Sequence, residues 1–249
     1  MEADLSGKRA LVCGASKGIG RAIALELKSR GADVTAVARS EENLKTLDMH
    51  YISADFSDQA SRQQFVDSLD GDYQILVCNS AGPASGLLHE ADAGEFIKAI
   101  DQHIVTNHML LQKLIPGMKK ASYGRVITIL STSVKSPIPN LGVSNTLRAA
   151  VANWAKTLSH ELGPFGITVN NVLPGFVDTE RLGTLMTRTS ERLDKSEDEV
   201  KKMWKATVPV GRFGQAEELA NAVAFLSSPA ASYINGINLP VDGGRLGCL

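Results

Sequence analysis

The sequence predicts an α/β fold, a doubly wound parallel sheet of about seven strands formed by the whole chain as a single domain. Three observations carry this. Short apolar runs alternate with longer stretches whose apolar residues recur at helical spacing. That alternation implies a parallel sheet covered by helices on both faces. A glycine-rich turn joins the first apolar run to the first helical stretch, and no internal repeat, low-complexity segment or linker interrupts the 249 residues.

Arg9–Cys13 reads as the first strand, and Ile19–Arg30 as a helix with apolar Ile23, Leu25 and Leu27, ended by Gly31. Asp33–Ala38 is a second strand and Tyr51–Ala54 a third, followed by a helix at Gln59–Leu69. Gln74–Cys78 is a fourth strand, Glu95–Leu114 a long helix and Arg125–Leu130 a fifth strand. A second long helix, Val143–Leu162, is ended by Gly163 and Pro164. Ile167–Val172 is a sixth strand, Gln215–Leu226 a helix and Ile237–Val241 the last strand. Thr179–Gly214 is polar and too long for a minimal connection, and reads as an irregular insertion. Insertions at the carboxyl end of a strand are where open α/β sheets meet their substrates.

The formal net charge is −1, which gives no electrostatic case for nucleic acid or an anionic membrane. The charge-rich stretch Ser190–Lys202 mixes both signs and reads as a solvated helix. Cys13, Cys78 and Cys248 are too few, and odd in number, for a disulfide framework; Cys13 and Cys78 read as buried reduced thiols. No His/Cys cluster has zinc spacing, so no metal is expected. The N-terminus has neither a basic n-region nor an apolar h-region, and no apolar run approaches a membrane span, so a cytoplasmic protein is expected.

Gly14-Ala15-Ser16-Lys17-Gly18-Ile19-Gly20 follows the first strand and opens the first helix. Glycines let the backbone turn tightly and approach a pyrophosphate, and the helix N-terminus offers free N–H groups and partial positive charge. The second strand ends at Ala38-Arg39. A carboxylate there would accept from a ribose 2′-hydroxyl; an arginine suits a 2′-phosphate, so NADP is expected over NAD, with Lys17 as a possible second cation.

The spacing Gly-x-x-x-Gly-x-Gly resembles that of the short-chain dehydrogenase/reductase family. Further segments resemble the family in the same order: Asp55-Phe56, Asn79-Ser80-Ala81-Gly82, Pro174-Gly175-Phe176-Val177-Asp178-Thr179 and Pro240-Val241-Asp242-Gly243-Gly244. The resemblance covers about residues 5–244 and points to the 3-oxoacyl carrier-protein reductase branch. It implies a Rossmann fold and a nicotinamide cofactor. Asp55 and Phe56 would lie near the adenine. Asn79, Ala81 and Gly82 would also line the cofactor site, with Pro174, Gly175, Val177 and Thr179 against the nicotinamide. It also implies a homo-oligomer, a tetramer, joined through Glu95–Leu114, Val143–Leu162 and the segment at Leu239–Val241.

The resemblance breaks at the catalytic helix. The family places Tyr-x-x-x-Lys where this chain has Ser144 and Arg148. The family's serine maps to Ser131, with Ser133 close by, and its asparagine to His103, with Asn107 one turn further on. A phenol can be tuned by a neighbouring cation, whereas an aliphatic hydroxyl is a far weaker acid. Arg148 stays protonated and supplies charge without exchanging a proton. The i,i+4 spacing keeps Ser144 and Arg148 on one helix face. His103 is the proton-transfer group that maps to the site, since an imidazole titrates near neutral pH; a packed or surface histidine is the alternative. Lys135, close in sequence, is a further candidate that reads more simply as exposed. The function expected is NADP-dependent hydride transfer between a carbonyl and an alcohol on a small molecule. The alternatives are a non-redox enzyme that binds a substrate carboxylate at Arg148, and a dinucleotide-binding sensor without turnover.

Overall fold

The apolar runs stay apolar residue after residue because both faces of each strand are covered. In the computed structural model, which describes residues 4–248, side chains along a strand alternate between two cores. Ala10 and Val12, Ile75 and Val77, and Ile127 face one; Leu11 and Cys13, Leu76 and Cys78, and Val126 face the other. This is the period of two expected of a pleated strand.

The strands are β1 (Arg9–Cys13), β2 (Asp33–Ala38), β3 (His50–Ser53), β4 (Ile75–Cys78), β5 (Gly124–Ile129), β6 (Ile167–Pro174) and β7 (Asn238–Val241). They form a seven-stranded sheet in the order β3-β2-β1-β4-β5-β6-β7, with every pair parallel. The helices are α1 (Gly18–Ser29), α2 (Glu41–Lys45), α3 (Gln59–Ser68), α4 (Ala93–Ile100), α5 (Thr106–Lys120), α6 (Gly142–Leu162), α7 (Glu180–Leu193), α8 (Glu197–Ala206) and α9 (Ala216–Ser227). Helices α1 and α9 pack together over the first core, and α3, α5 and α6 cover the second. Strand order reverses between β1 and β4, so the crevice of an open α/β sheet lies at their carboxyl ends. The glycine loop leaves β1 there, and Asn79–Gly82 leaves β4.

Several expectations need correction. The helix expected at Glu95–Leu114 is α4 and α5 joined by a π turn at Asp101–Val105, and α5 continues through Pro116 to Lys120. The turn is widened by side chains: Thr106 Oγ1 donates to the Asp101 carbonyl at 3.0 Å, and buried Arg62 grips the Asp101 carboxylate at 2.6 and 2.9 Å. Pro116 is tolerated because Gln112, whose carbonyl loses its intrahelical donor, is exposed and can be served by water.

Thr179–Gly214 is not irregular but holds α7 and α8, which build a small core from Leu182, Met186, Val200 and Phe213. Phe176 stacks on Trp204 beside it, with ring centroids 4.8 Å apart. The solvated helix expected at Ser190–Lys202 is interrupted. Asp194 ends α7 in a left-handed conformation (φ 51°), and Ser196 with Glu199 forms the capping box that starts α8. Finally, the short α2, started by the Ser40 hydroxyl accepting from the Asn43 amide, was not expected at all, and β3 lies one residue earlier than read.

Candidate functional site

At the carboxyl end of β1 the chain turns through Gly14 (φ +64°) and Gly18 (φ +53°), both in the left-handed region that favours glycine. The loop packs against Asn79, whose Nδ2 donates to the Gly14 carbonyl at 3.3 Å. A side-chain carbon at Gly14 would approach Asn79 Nδ2 to 2.7 Å, and one at Gly20 would approach it to 2.6 Å. No side chain caps α1 and its first turn carries no acidic residue, which leaves the helix's first amides free. Glycine loop, free amides and helix dipole together fit a dinucleotide's diphosphate.

Ser16, Lys17 and Ile19 sit on this loop. Lys17 is not a free cation: its ammonium pairs with Glu180 of α7 at 2.6 Å. Thr179, just before α7, lies against Gly18; a carbon added there would touch its methyl at 3.5 Å. The segment Thr179–Glu180 therefore straps across the glycine loop. Pro174 ends β6, Gly175 is held close to Asp242, and Val177 is buried and bridged to Gly214.

Arg39 follows β2, is exposed and makes no ion pair among the described residues. It borders a cavity of about 540 Å³ whose wall includes Ser57, Ala81, Gly82, Lys98 and Gln102. Lys98 is a cation on this wall that sequence reasoning missed. Asp55 after β3 accepts from the Ser57 amide and hydroxyl; these bonds, with the charges of Arg39 and Lys98, hold its carboxyl below the ordinary range. Phe56 stacks on Phe65 with centroids 5.7 Å apart.

Of the groups mapped to catalysis, Ser144 and Arg148 are in direct contact. Arg148 donates from Nη1 to the carbonyls of Leu130 (2.5 Å) and Ile129 (3.4 Å), and from Nε to Ser144 Oγ (3.2 Å). It thereby ties α6 to the end of β5, where Ser131 follows. Ser131 Oγ accepts from the Ser133 amide at 3.1 Å. Ser144 is buried. Both hydroxyls thus have an acceptor side occupied and their own hydrogens free to donate.

His103 lies in the π turn, which rotates it inward against the loop after β4. It is buried; its Nδ1 shares a hydrogen bond with Ser80 Oγ at 2.8 Å, and its Nε2 has no partner among the described residues. Burial and then the Arg148 charge push its pKa down to about 4; the backbone at Ala81 pulls the other way, and by more than the small further lowering from Arg181. His103 is thus the packed histidine of the two readings, and the near-neutral titration of the other does not follow: at neutral pH this imidazole is uncharged. Asn107 is buried on α5, and Lys135 is partly exposed beyond the turn after Ser131.

Arg181, in the first turn of α7, is a second group the sequence reading missed. Its guanidinium reaches the same place as that of Arg148: a carbon added at Gly82 would lie 2.9 Å from Arg148 Nη2 and 3.0 Å from Arg181 Nη2. A signal was available, since a cation in a helix's first turn opposes the helix dipole.

Residues 14–245 match the family model described as enoyl-(acyl carrier protein) reductase. The chain is 37% identical to the 3-oxoacyl-[acyl-carrier-protein] reductase FabG of Salmonella typhimurium, across 96% of this chain and 97% of that protein. It is 36% identical to FabG of Escherichia coli (strain K12), across 97% of this chain and 98% of that protein. Among solved structures, L-sorbose reductase from Gluconobacter frateurii, complexed with NADPH and L-sorbose, matches all of both chains with a TM-score of 0.92 at 27% identity. YwfH, an NADPH-dependent reductase involved in bacilysin biosynthesis, matches with a TM-score of 0.91 at 29% identity over 98% of this chain and all of that one. The parallel sheet, the glycine loop at its switch point and this full-length similarity place the chain in the short-chain dehydrogenase/reductase family of oxidoreductases.

Proposed function

We propose that the protein is an NADP-dependent oxidoreductase that interconverts a carbonyl and an alcohol using Ser131, Ser144, Arg148 and His103 in place of a tyrosine-based site. The observation that carries this is the double tether of Arg148 to the Leu130 carbonyl and to Ser144 Oγ. It supports a site in which two hydroxyl donors and a fixed cation stand beside the cofactor cradle.

The nicotinamide, when bound, supplies or accepts the hydride. Gly14, Ser16, Gly18, Ile19 and Gly20 would hold the diphosphate, Arg39 the 2′-phosphate, and Asp55 and Phe56 the adenine end. Asn79, Ala81, Gly82, Arg148, Pro174, Gly175, Val177 and Thr179 would hold the nicotinamide end. Ser131 and Ser144 donate to the carbonyl oxygen, and the Arg148 charge favours the negative charge that develops there. His103 Nε2, uncharged and unpartnered, would accept the hydroxyl proton in the oxidative direction and pass it to solvent; in the reductive direction the proton would come from solvent by the same route.

The relatives named as 3-oxoacyl reductases make a 3-oxoacyl compound a first choice of substrate. The apolar residues Ile97 (70% exposed) and Ile100 (44% exposed) on α4 support a homo-oligomer, a tetramer, with this face covered. The free thiols of buried Cys13 and Cys78 fit a reducing compartment, the cytoplasm. The test is consumption of NADPH against a panel of carbonyl compounds, with direct titration of NADPH binding alongside. Turnover with any member supports the assignment. Tight NADPH binding with no turnover across the panel would point instead to a sensor.

A further inference from the structure

Two guanidinium groups converge on Gly82, and no carboxylate among the described residues answers them. Arg148 spends Nε and Nη1 on Ser144 and the β5 carbonyls, which leaves Nη2 without a partner among the described residues. Arg181 makes no hydrogen bond or ion pair among them, although the geometry at Gly82 places its Nη2 close to that of Arg148. Neither arginine belongs to any ion pair among the described residues. The buried Nε2 of His103 is also unpartnered, and both arginines act on that imidazole. Burial and the charge of Arg181 together hold the Arg148 guanidinium down to about 10.

Like charges in a partly dried site repel, and Arg181 lies at the N-terminal end of α7, where the helix dipole opposes it as well. The arrangement is unfavourable unless an anion completes it. A carboxylate suits it, since two oxygens can each accept from one guanidinium.

Resting on the oxidoreductase reading above, we propose that Arg148 Nη2 and Arg181 form a subsite for a carboxylate on the substrate, next to the carbonyl held by Ser131 and Ser144. The cofactor's diphosphate is the other source of anionic oxygen. It belongs at the glycine loop, where Lys17 meets Glu180 and Thr179 meets Gly18. Glu180 turns toward that loop, while Arg181, the next residue on α7, turns toward Gly82. The substrate is therefore an oxo acid or the matching hydroxy acid. Binding has a second consequence: a carboxylate offsets both arginine charges that depress His103, which eases a depression that burial still dominates.

The test uses the full chain loaded with NADP⁺, which cannot reduce a ketone, and calorimetric titration with acetoacetate or methyl acetoacetate. These share a 3-oxo group and differ in the carboxylate. Acetoacetate should bind at least about tenfold more tightly, the scale of one charge-assisted contact. Arg181→Met should abolish that preference while leaving the affinity for NADP⁺ and for methyl acetoacetate unchanged; Arg181→Lys should restore part of it. Equal binding of the two probes, or no binding of either, overturns the proposal. So does a preference that survives Arg181→Met, and a fall in NADP⁺ affinity with the preference intact would reassign the anion to the diphosphate. Failure to bind NADP⁺ at all would instead overturn the cofactor reading. In that case the same pair of probes, titrated into unloaded protein, still reads the subsite.

Discussion

Replacing His103 with asparagine should remove a specific piece of the protein's pH-dependent stability. Unfolding returns the imidazole to an ordinary value of 6.5, whereas in the folded chain it is pushed down to about 4. Between those values the unfolded chain binds the proton and the folded chain does not, so stability is full above 6.5 and is lost as pH falls toward 4. At about 1.4 kcal/mol per unit, the whole loss is about 3 kcal/mol. Between about pH 7.5 and about pH 5, where the folded imidazole is still mostly uncharged, the loss is about 2 kcal/mol. Urea denaturation of the wild type and of His103→Asn at those two pH values isolates it, because carboxylates common to both proteins cancel in the difference. Asparagine keeps a polar group near Ser80 Oγ and has nothing to titrate. The wild type should therefore lose about 2 kcal/mol more than the variant on acidification. An equal loss in both would show that His103 titrates as it would in water, and would dispose of the buried, arginine-flanked imidazole on which its proposed role depends.

Arg39→Ala removes the exposed cation after β2 and should weaken NADPH by about 1.5–3 kcal/mol as a charged hydrogen bond, with NADH affinity nearly unchanged; equal losses in titrations of the two cofactors would refute its role. The double change Ser144→Tyr, Arg148→Lys restores the family's pair at i,i+4 and should raise turnover of a 3-oxoacyl ester only when both are present. The gain should be modest, because Ser144 is buried and a phenol there must displace neighbours. Trp204→Ala empties the face of Phe176 and, because Trp204 is only partly buried, should lower stability by about 1–2 kcal/mol, read as a thermal shift; no shift would mean that the α7–α8 lobe does not depend on that stack.

What the sequence by itself determined is the frame. Continuous apolar runs such as Leu11–Cys13 and Leu76–Cys78 could be satisfied only by a sheet covered on both faces. The glycine loop could sit only where a strand turns into a helix. These are local signals, and their order along the chain specified the sheet and the cofactor cradle. The spacing between Ser144 and Arg148 likewise put both on one face of α6. The segment 179–214 carries a helical period too, with Leu182 and Met186, and Val200 and Trp204, each at i,i+4, and a capping box at Ser196–Glu199; the many charges around these few apolar residues masked it, so only Ser190–Lys202 read as helical, and as one helix.

Only the tertiary structure decided what charge does at the site. Lys17 looked like a phosphate ligand until it met Glu180, far away in sequence. His103 looked like a neutral-pH acid until the π turn buried it beside Arg148. Arg181 drew no reading from the sequence, and only the packing of α7 carries it to Gly82. Pairing, desolvation and repulsion fall off over a few ångströms. They are therefore set by which residues the fold brings together, and nothing along the chain announces that.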